Sequence, residues 1–147
     1  MGILRSAQQV ALQELHQLAQ ESVDHYRDSA EFVDDSTAAQ LFKRIADQRA
    51  SLVANVAQAI RETGDLPAAP DADRETGEQL LHRLHAWFTA DQTQDVLQQR
   101  LQAEEDLATA LAENASDASD PAFQALHDQF ATQISGTVQT LKQAIKS

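Results

Sequence analysis

The sequence predicts an all-α fold, a bundle of four long helices with a helical crossover between the second and third. Three observations carry this prediction. Apolar residues recur at helical spacing through five segments, and no stretch alternates with the period of a strand. Gly (4) and Pro (3) are scarce in 147 residues, while Ala, Leu and Gln, all good helix formers, are abundant. The segment lengths, finally, suit a crossover better than a plain up-and-down chain.

The first helix is predicted from about Ile3 to Val33. Leu4, Ala11, Leu15, Leu18, Ser22, Ser29 and Val33 share one narrow arc, with Tyr26 beside them. Asp34-Asp35-Ser36 ends it and caps the second helix, which runs from about Thr37 to Thr63. Its stripe is Leu41, Ile45, Leu52, Val56, Ala59 and Thr63, widened by Phe42, Val53 and Ile60. Gln48 and Arg49 interrupt that stripe, and Arg49 lies near the middle of its arc. Gly64 is suited to the C-cap, and Pro67 and Pro70 forbid continuation.

A third, shorter helix is predicted from about Arg74 to Ala90, with Leu80, Leu81, Leu84, Trp87 and Phe88 on one side. Asp91-Gln92-Thr93 breaks it, and a fourth follows to about Asn114. Pro121 suits the start of a fifth, to about Lys146, whose stripe is Phe123, Phe130, Ile134, Thr137, Leu141 and Ile145. At ~1.5 Å per residue the first, second and fifth helices span roughly 40 Å each. The third and fourth joined as one rod would reach about 60 Å and overhang them. A turn near Asp91 resolves this: the third helix becomes the crossover, and the second and fourth run the same way. That is the ferritin-like arrangement. The competing arrangement is an up-and-down bundle with a kinked third helix.

Composition narrows the function classes. At 42% hydrophobic the chain can bury a core as a single domain, residues 1–147, and with 5% aromatics that core is mostly aliphatic. The formal charge of −12 repels nucleic acid and anionic lipid, so neither is an expected partner. Lys is confined to Lys43, Lys142 and Lys146, and Asp outnumbers Glu, as on a salt-adapted surface or an ordinary acidic one. The absence of cysteine excludes disulfides, thiolate catalysis and Cys-based metal sites. No apolar run approaches the ~20 residues of a membrane span. Met-Gly-Ile-Leu-Arg-Ser has the outline of a myristoylation signal, but MGILRSAQQVALQEL lacks a secretory core and reads as helix from its start, so a cytoplasmic location is expected.

Chemistry concentrates in Asp95 to Glu113. Leu97, Leu101, Ala108 and Leu111 define one face, Glu104 falls on that stripe, and Glu105 flanks it. An acid on a core stripe costs several kcal/mol unless paired. In a crossover bundle Arg49 sits at the same height, with Glu21 and Gln133 at the margins of the neighbouring stripes. The candidate polar core layer is therefore Arg49, Glu104, Glu105, Glu21 and Gln133. It can be read as an ion-paired layer that fixes helix register, or as a carboxylate centre for metal. A di-iron bundle needs a Glu from each of two helices and a Glu-x-x-His from each of the other two. The second helix offers Asp47-Gln48-Arg49 instead, and the fifth has neither Glu nor His at mid-height. No metal or other cofactor is assigned. The third helix carries a candidate surface or interface, His82, Arg83, His85 and Trp87. The two histidines stand at i, i+3 without a carboxylate at i+4, so hydrogen bonding is a better use for them than metal. His127 lies in an apolar arc and His16 and His25 stand alone. No catalytic triad order, phosphate loop or nucleophile elbow occurs, and no catalytic residue is assigned.

Several of these pieces together resemble a known family. They are Asp24-x-Tyr26, Ala30-Glu31 followed by Val33-Asp34-Asp35, Leu41-Phe42, Arg49, Gly64-x-x-Pro67, Leu81-His82-Arg83 and Glu105-Asp106. The set, spread from about Leu15 to Asn114, resembles the uncharacterised ferritin-like proteins of bacteria that form a domain family of unknown function. The resemblance implies a four-helix bundle without the full di-iron ligand set, and no established activity. The chain departs from the pattern in its third helix, where the aromatic Trp87 comes four residues after Arg83. The expected function is a non-catalytic binding or stress-associated accessory protein of unknown ligand. If the chain self-associates as a homodimer, the Trp87 side of the third helix is the expected surface. The alternative is a metal-binding (iron or manganese) oxidoreductase or storage protein with an atypical carboxylate site.

Overall fold

The computed structural model of the chain describes residues 6–68, 92–114 and 120–146. Among these residues the structure is all-helical, with four helices: α1 (Ala7–Phe32), α2 (Ser36–Glu62), α3 (Thr93–Asn114) and α4 (Pro121–Lys146). They are the first, second, fourth and fifth of the predicted helices. The predicted third helix and its break at Asp91 lie outside the described residues.

Local chemistry sets the boundaries. Ser6 caps α1: its Oγ accepts from the Gln9 amide at 3.1 Å, and the Gln9 side chain accepts from the Ser6 amide at 2.9 Å. This reciprocal box places the helix start at Ala7, a correction to the predicted start near Ile3, because Ser6 is held in extended backbone. Asp35 caps α2 by accepting from the Ala38 amide at 2.8 Å. At the far end of α2, Gly64 takes φ +88°, where a side chain would be strained. The Gly64 amide donates to the Arg61 carbonyl and the Asp65 amide to the Ile60 carbonyl, which closes the helix in a Schellman motif. Asp120 accepts from the Phe123 amide at 3.0 Å, and Pro121 opens α4.

Three contacts fix helix direction. The Gln9 amide group of α1 donates to the Thr63 carbonyl at 3.1 Å, so α1 and α2 are antiparallel. Asn114, ending α3, donates to Ala11 and Glu14 near the start of α1. His127 of α4 meets the Leu111 carbonyl of α3 at 2.8 Å. The starts of α1 and α4 and the ends of α2 and α3 therefore gather at one end. It follows that α2 and α3 run parallel. No helix among the described residues is long and apolar enough to cross a membrane.

The core divides along the bundle axis. One apolar cluster at the gathered end joins Leu12, Leu15, Leu52, Val56, Ile60, Leu111, Phe123 and Phe130. Another, toward the opposite end, joins Tyr26, Val33, Phe42, Ile45, Val96, Leu97 and Leu141. Between them lies a polar layer. On α3 the buried face is Val96, Leu97, Arg100, Glu104 and Leu111. Ala108, predicted on that face, is exposed, and Leu101 is half-buried. The buried positions step by three and four from Leu97, which turns Leu101 and Ala108 to the flank.

Candidate functional site: a buried ion-paired layer

Every helix sends a polar side chain to the centre. Arg49 of α2 is fully buried at 0% exposure, and Glu104 of α3 is 2% exposed. The pair is bidentate: Nη1 of Arg49 donates to Oε2 of Glu104 at 3.2 Å, and Nη2 donates to Oε1. Nη1 also donates to Oγ of Ser22 on α1 at 2.7 Å, and Nη2 to Oγ1 of Thr137 on α4 at 3.0 Å. The guanidinium thus ties α2 to all three other helices. It lies between two rings, its Cζ 5.8 Å from the Tyr26 centroid and 5.5 Å from that of Phe130. Only Nε of Arg49 lacks a partner.

The structure brings together two of the five residues predicted for this layer and replaces the others. Glu105 is exposed, a correction to its placement in the layer. One residue along a helix turns the side chain by about 100°, so Glu104 and Glu105 cannot both face the axis. Glu21 is half-buried on the flank of α1, where Gln17 donates to it at 3.3 Å. Gln133 is half-buried in a cleft of about 400 Å³ between α2 and α4, with a buried Oε1 that has no partner. Neither meets Arg49. Ser22 and Thr137 take those places, each presenting a hydroxyl oxygen to one guanidinium nitrogen. Both interrupt otherwise apolar stripes in the sequence, and that was their signal. His82, Arg83, His85 and Trp87 lie outside the described residues.

Sequence reasoning missed Arg100, which is buried at 5% exposure with its Cζ 5.9 Å from the Tyr26 centroid. Its signal was its place three residues after Leu97 and four before Glu104. Tyr26 is buried between the two guanidiniums. Burial first, and then the Glu104 charge, raise the pKa of its phenol, while Arg49 opposes. The Tyr26 hydroxyl lies beside the Glu104 carboxylate, whose hydrogen bonding also favours the protonated phenol. His16 is buried at 8% exposure; burial, and secondarily the Arg61 charge, lower its pKa and favour the neutral ring.

The donor set is poor for metal. No group of three or more His, Cys, Asp or Glu side chains among the described residues could hold an ion. The one central carboxylate already faces a guanidinium, whose charge would oppose a divalent cation beside it. The layer's evident capacity is to fix the relative height of four helices. No family model, no curated protein and no solved structure matches the chain.

Proposed function

We propose that the chain is a ferritin-like bundle of the bacterial cytoplasm whose centre is held by an ion pair in place of metal. It acts as a non-catalytic binding or stress-associated accessory protein. The observation that carries this reading is the Arg49 guanidinium, which reaches groups on α1, α3 and α4 from the axis of the bundle. The parallel course of α2 and α3 supports the ferritin-like arrangement, in which a crossover separates the second and third long helices. The resemblance in motif order from Leu15 to Asn114 supports the family.

Elemental analysis of protein purified without chelator tests the reading. Iron and manganese are expected far below one per chain. Stoichiometric iron or manganese, lost in a folded Glu104→Ala variant, would overturn it and install a metal-binding oxidoreductase or storage protein.

A further inference from the structure

The cleft of about 400 Å³ between α2 and α4 runs beside the central layer. It is open to solvent, since Arg44, Gln48, Gly136 and Thr140 along it are exposed. Buried Leu41 and Ile45 make its apolar floor, and Thr137, at 4% exposure, makes the polar part of that floor. The two helices are antiparallel, and Arg49 of one meets Thr137 of the other. Arg44 therefore stands toward Thr140, with Gln133 at the opposite end, about 13 Å away along the axis by helical rise.

Among the described residues that line the cleft, Arg44 alone is charged. Its other polar groups are the amides of Gln48 and Gln133 and the hydroxyls of Thr132, Thr137 and Thr140. Asp47, a neighbour of Arg44 on α2, is exposed and outside the lining. The cleft thus presents a cation unopposed by any acid of its lining, in a chain of net charge −12. The Gln133 Oε1 is buried without a partner and calls for a donor. The Thr137 Oγ1 accepts from Arg49, which leaves its own proton for an acceptor. A hydroxyl both donates and accepts, so one kind of group serves both needs. The complement of this cleft is a molecule with one anionic end and several hydroxyls. Its open side favours the same chemistry, because hydroxyls on the outer edge of a ligand stay in water.

We propose that this cleft binds a small polyhydroxy carboxylate, its carboxylate on Arg44 and its hydroxyls on Gln48, Thr137 and Gln133. A cavity of about 150 Å³ holds benzene, so this larger, open one suits about a dozen non-hydrogen atoms, the size of a six-carbon sugar acid. The proposal deepens the binding-protein reading and rests on it.

Isothermal titration with gluconate, run on the same preparations as the metal analysis, tests it. Saturable binding of one gluconate per chain is expected. Arg44→Gln removes the charge from the cleft and should weaken binding about tenfold or more. Gln133→Met removes the amide at similar length and should weaken binding about fivefold. It should not lower the thermal midpoint, since the lost oxygen has no partner. A Cβ at Gly136 would meet nothing within 4 Å, so Gly136→Leu fits the helix and fills the cleft. That variant should raise the thermal midpoint and abolish binding. Glucose, with hydroxyls and no charge, and hexanoate, with the charge and no hydroxyls, should each bind at least about tenfold more weakly than gluconate. No gluconate binding, glucose or hexanoate binding as tight as gluconate, or gluconate binding indifferent to Arg44→Gln and Gly136→Leu would each overturn the proposal. These outcomes leave the ion-paired centre untouched, whereas bound metal would overturn the reading beneath it.

Discussion

Toward either end of the bundle the four helices meet through Leu, Ile, Val and Phe side chains, whereas at mid-height they meet around one guanidinium. The ends bury apolar surface, whose attraction is large and without direction. A helix sliding by one turn would still find apolar neighbours there. The middle is directional: Arg49 satisfies Ser22, Glu104 and Thr137 together only at one relative height. The ends therefore supply stability and the middle selects register.

Arg49→Met is the sharpest way to break this division. It leaves Glu104 charged and 2% exposed with its guanidinium gone, and should cost ~3–5 kcal/mol by chemical denaturation. With Arg49 at 0% exposure, the side chain has no route to solvent that would spare this cost. Replacing both partners, Arg49→Met with Glu104→Leu, should recover most of the loss, because neither member of the pair is then left buried without the other. If the layer selects register, the double variant should nevertheless bind a hydrophobic dye and lose amide chemical-shift dispersion. A sharply dispersed double variant would show that the apolar ends set the register by themselves.

The apolar ends should respond differently. Leu15, at 0% exposure, packs in the cluster nearest the starts of α1 and α4. Leu15→Ala should cost about 2–4 kcal/mol through lost burial and a cavity. That loss should leave the dispersion of the remaining signals intact, because no directional contact is removed. Loss of dispersion equal to that of the double variant would erase the contrast between middle and ends.

The fold was legible because capping and periodicity are local. Ser6, Asp35, Gly64 and Pro121 each act within a few residues, and the stripes of α1, α2 and α4 follow from spacing alone. The Arg49–Glu104 pair was legible because each charge interrupts a core stripe. The rest of the layer was not, because its membership depends on which side chains four packed helices turn toward the guanidinium. That is a property of four helices together, and it selected Ser22 and Thr137 over Glu21 and Gln133. On α3 the face was drawn through alanines and leucines, which placed Ala108 inside and overlooked Arg100. An arginine at a core position carries no apolar signal, and the Tyr26 ring gives one reason it is there.

The smallest expected effects are pH-dependent and also divide end from middle. His16 lies at the apolar end with its pKa lowered from 6.5 by burial and then by Arg61. The unfolded chain then binds a proton more readily than the folded one. Its contribution is present above pH 6.5 and is lost as pH falls through the lower folded value. Tyr26, beside the polar layer, shifts the other way: its pKa is raised from 10.0, chiefly by burial. Its contribution is present below pH 10 and is lost as pH rises beyond it, when the unfolded phenol ionises first. Thermal midpoints measured across pH should therefore show an acid limb that flattens in His16→Leu and an alkaline limb that flattens in Tyr26→Phe. Each substitution should leave the other limb as in the parent, because His16 and Tyr26 stand about 15 Å apart along α1 and their effects should add. A His16 variant that also altered the alkaline limb would mean that the ends communicate through the ion-paired layer.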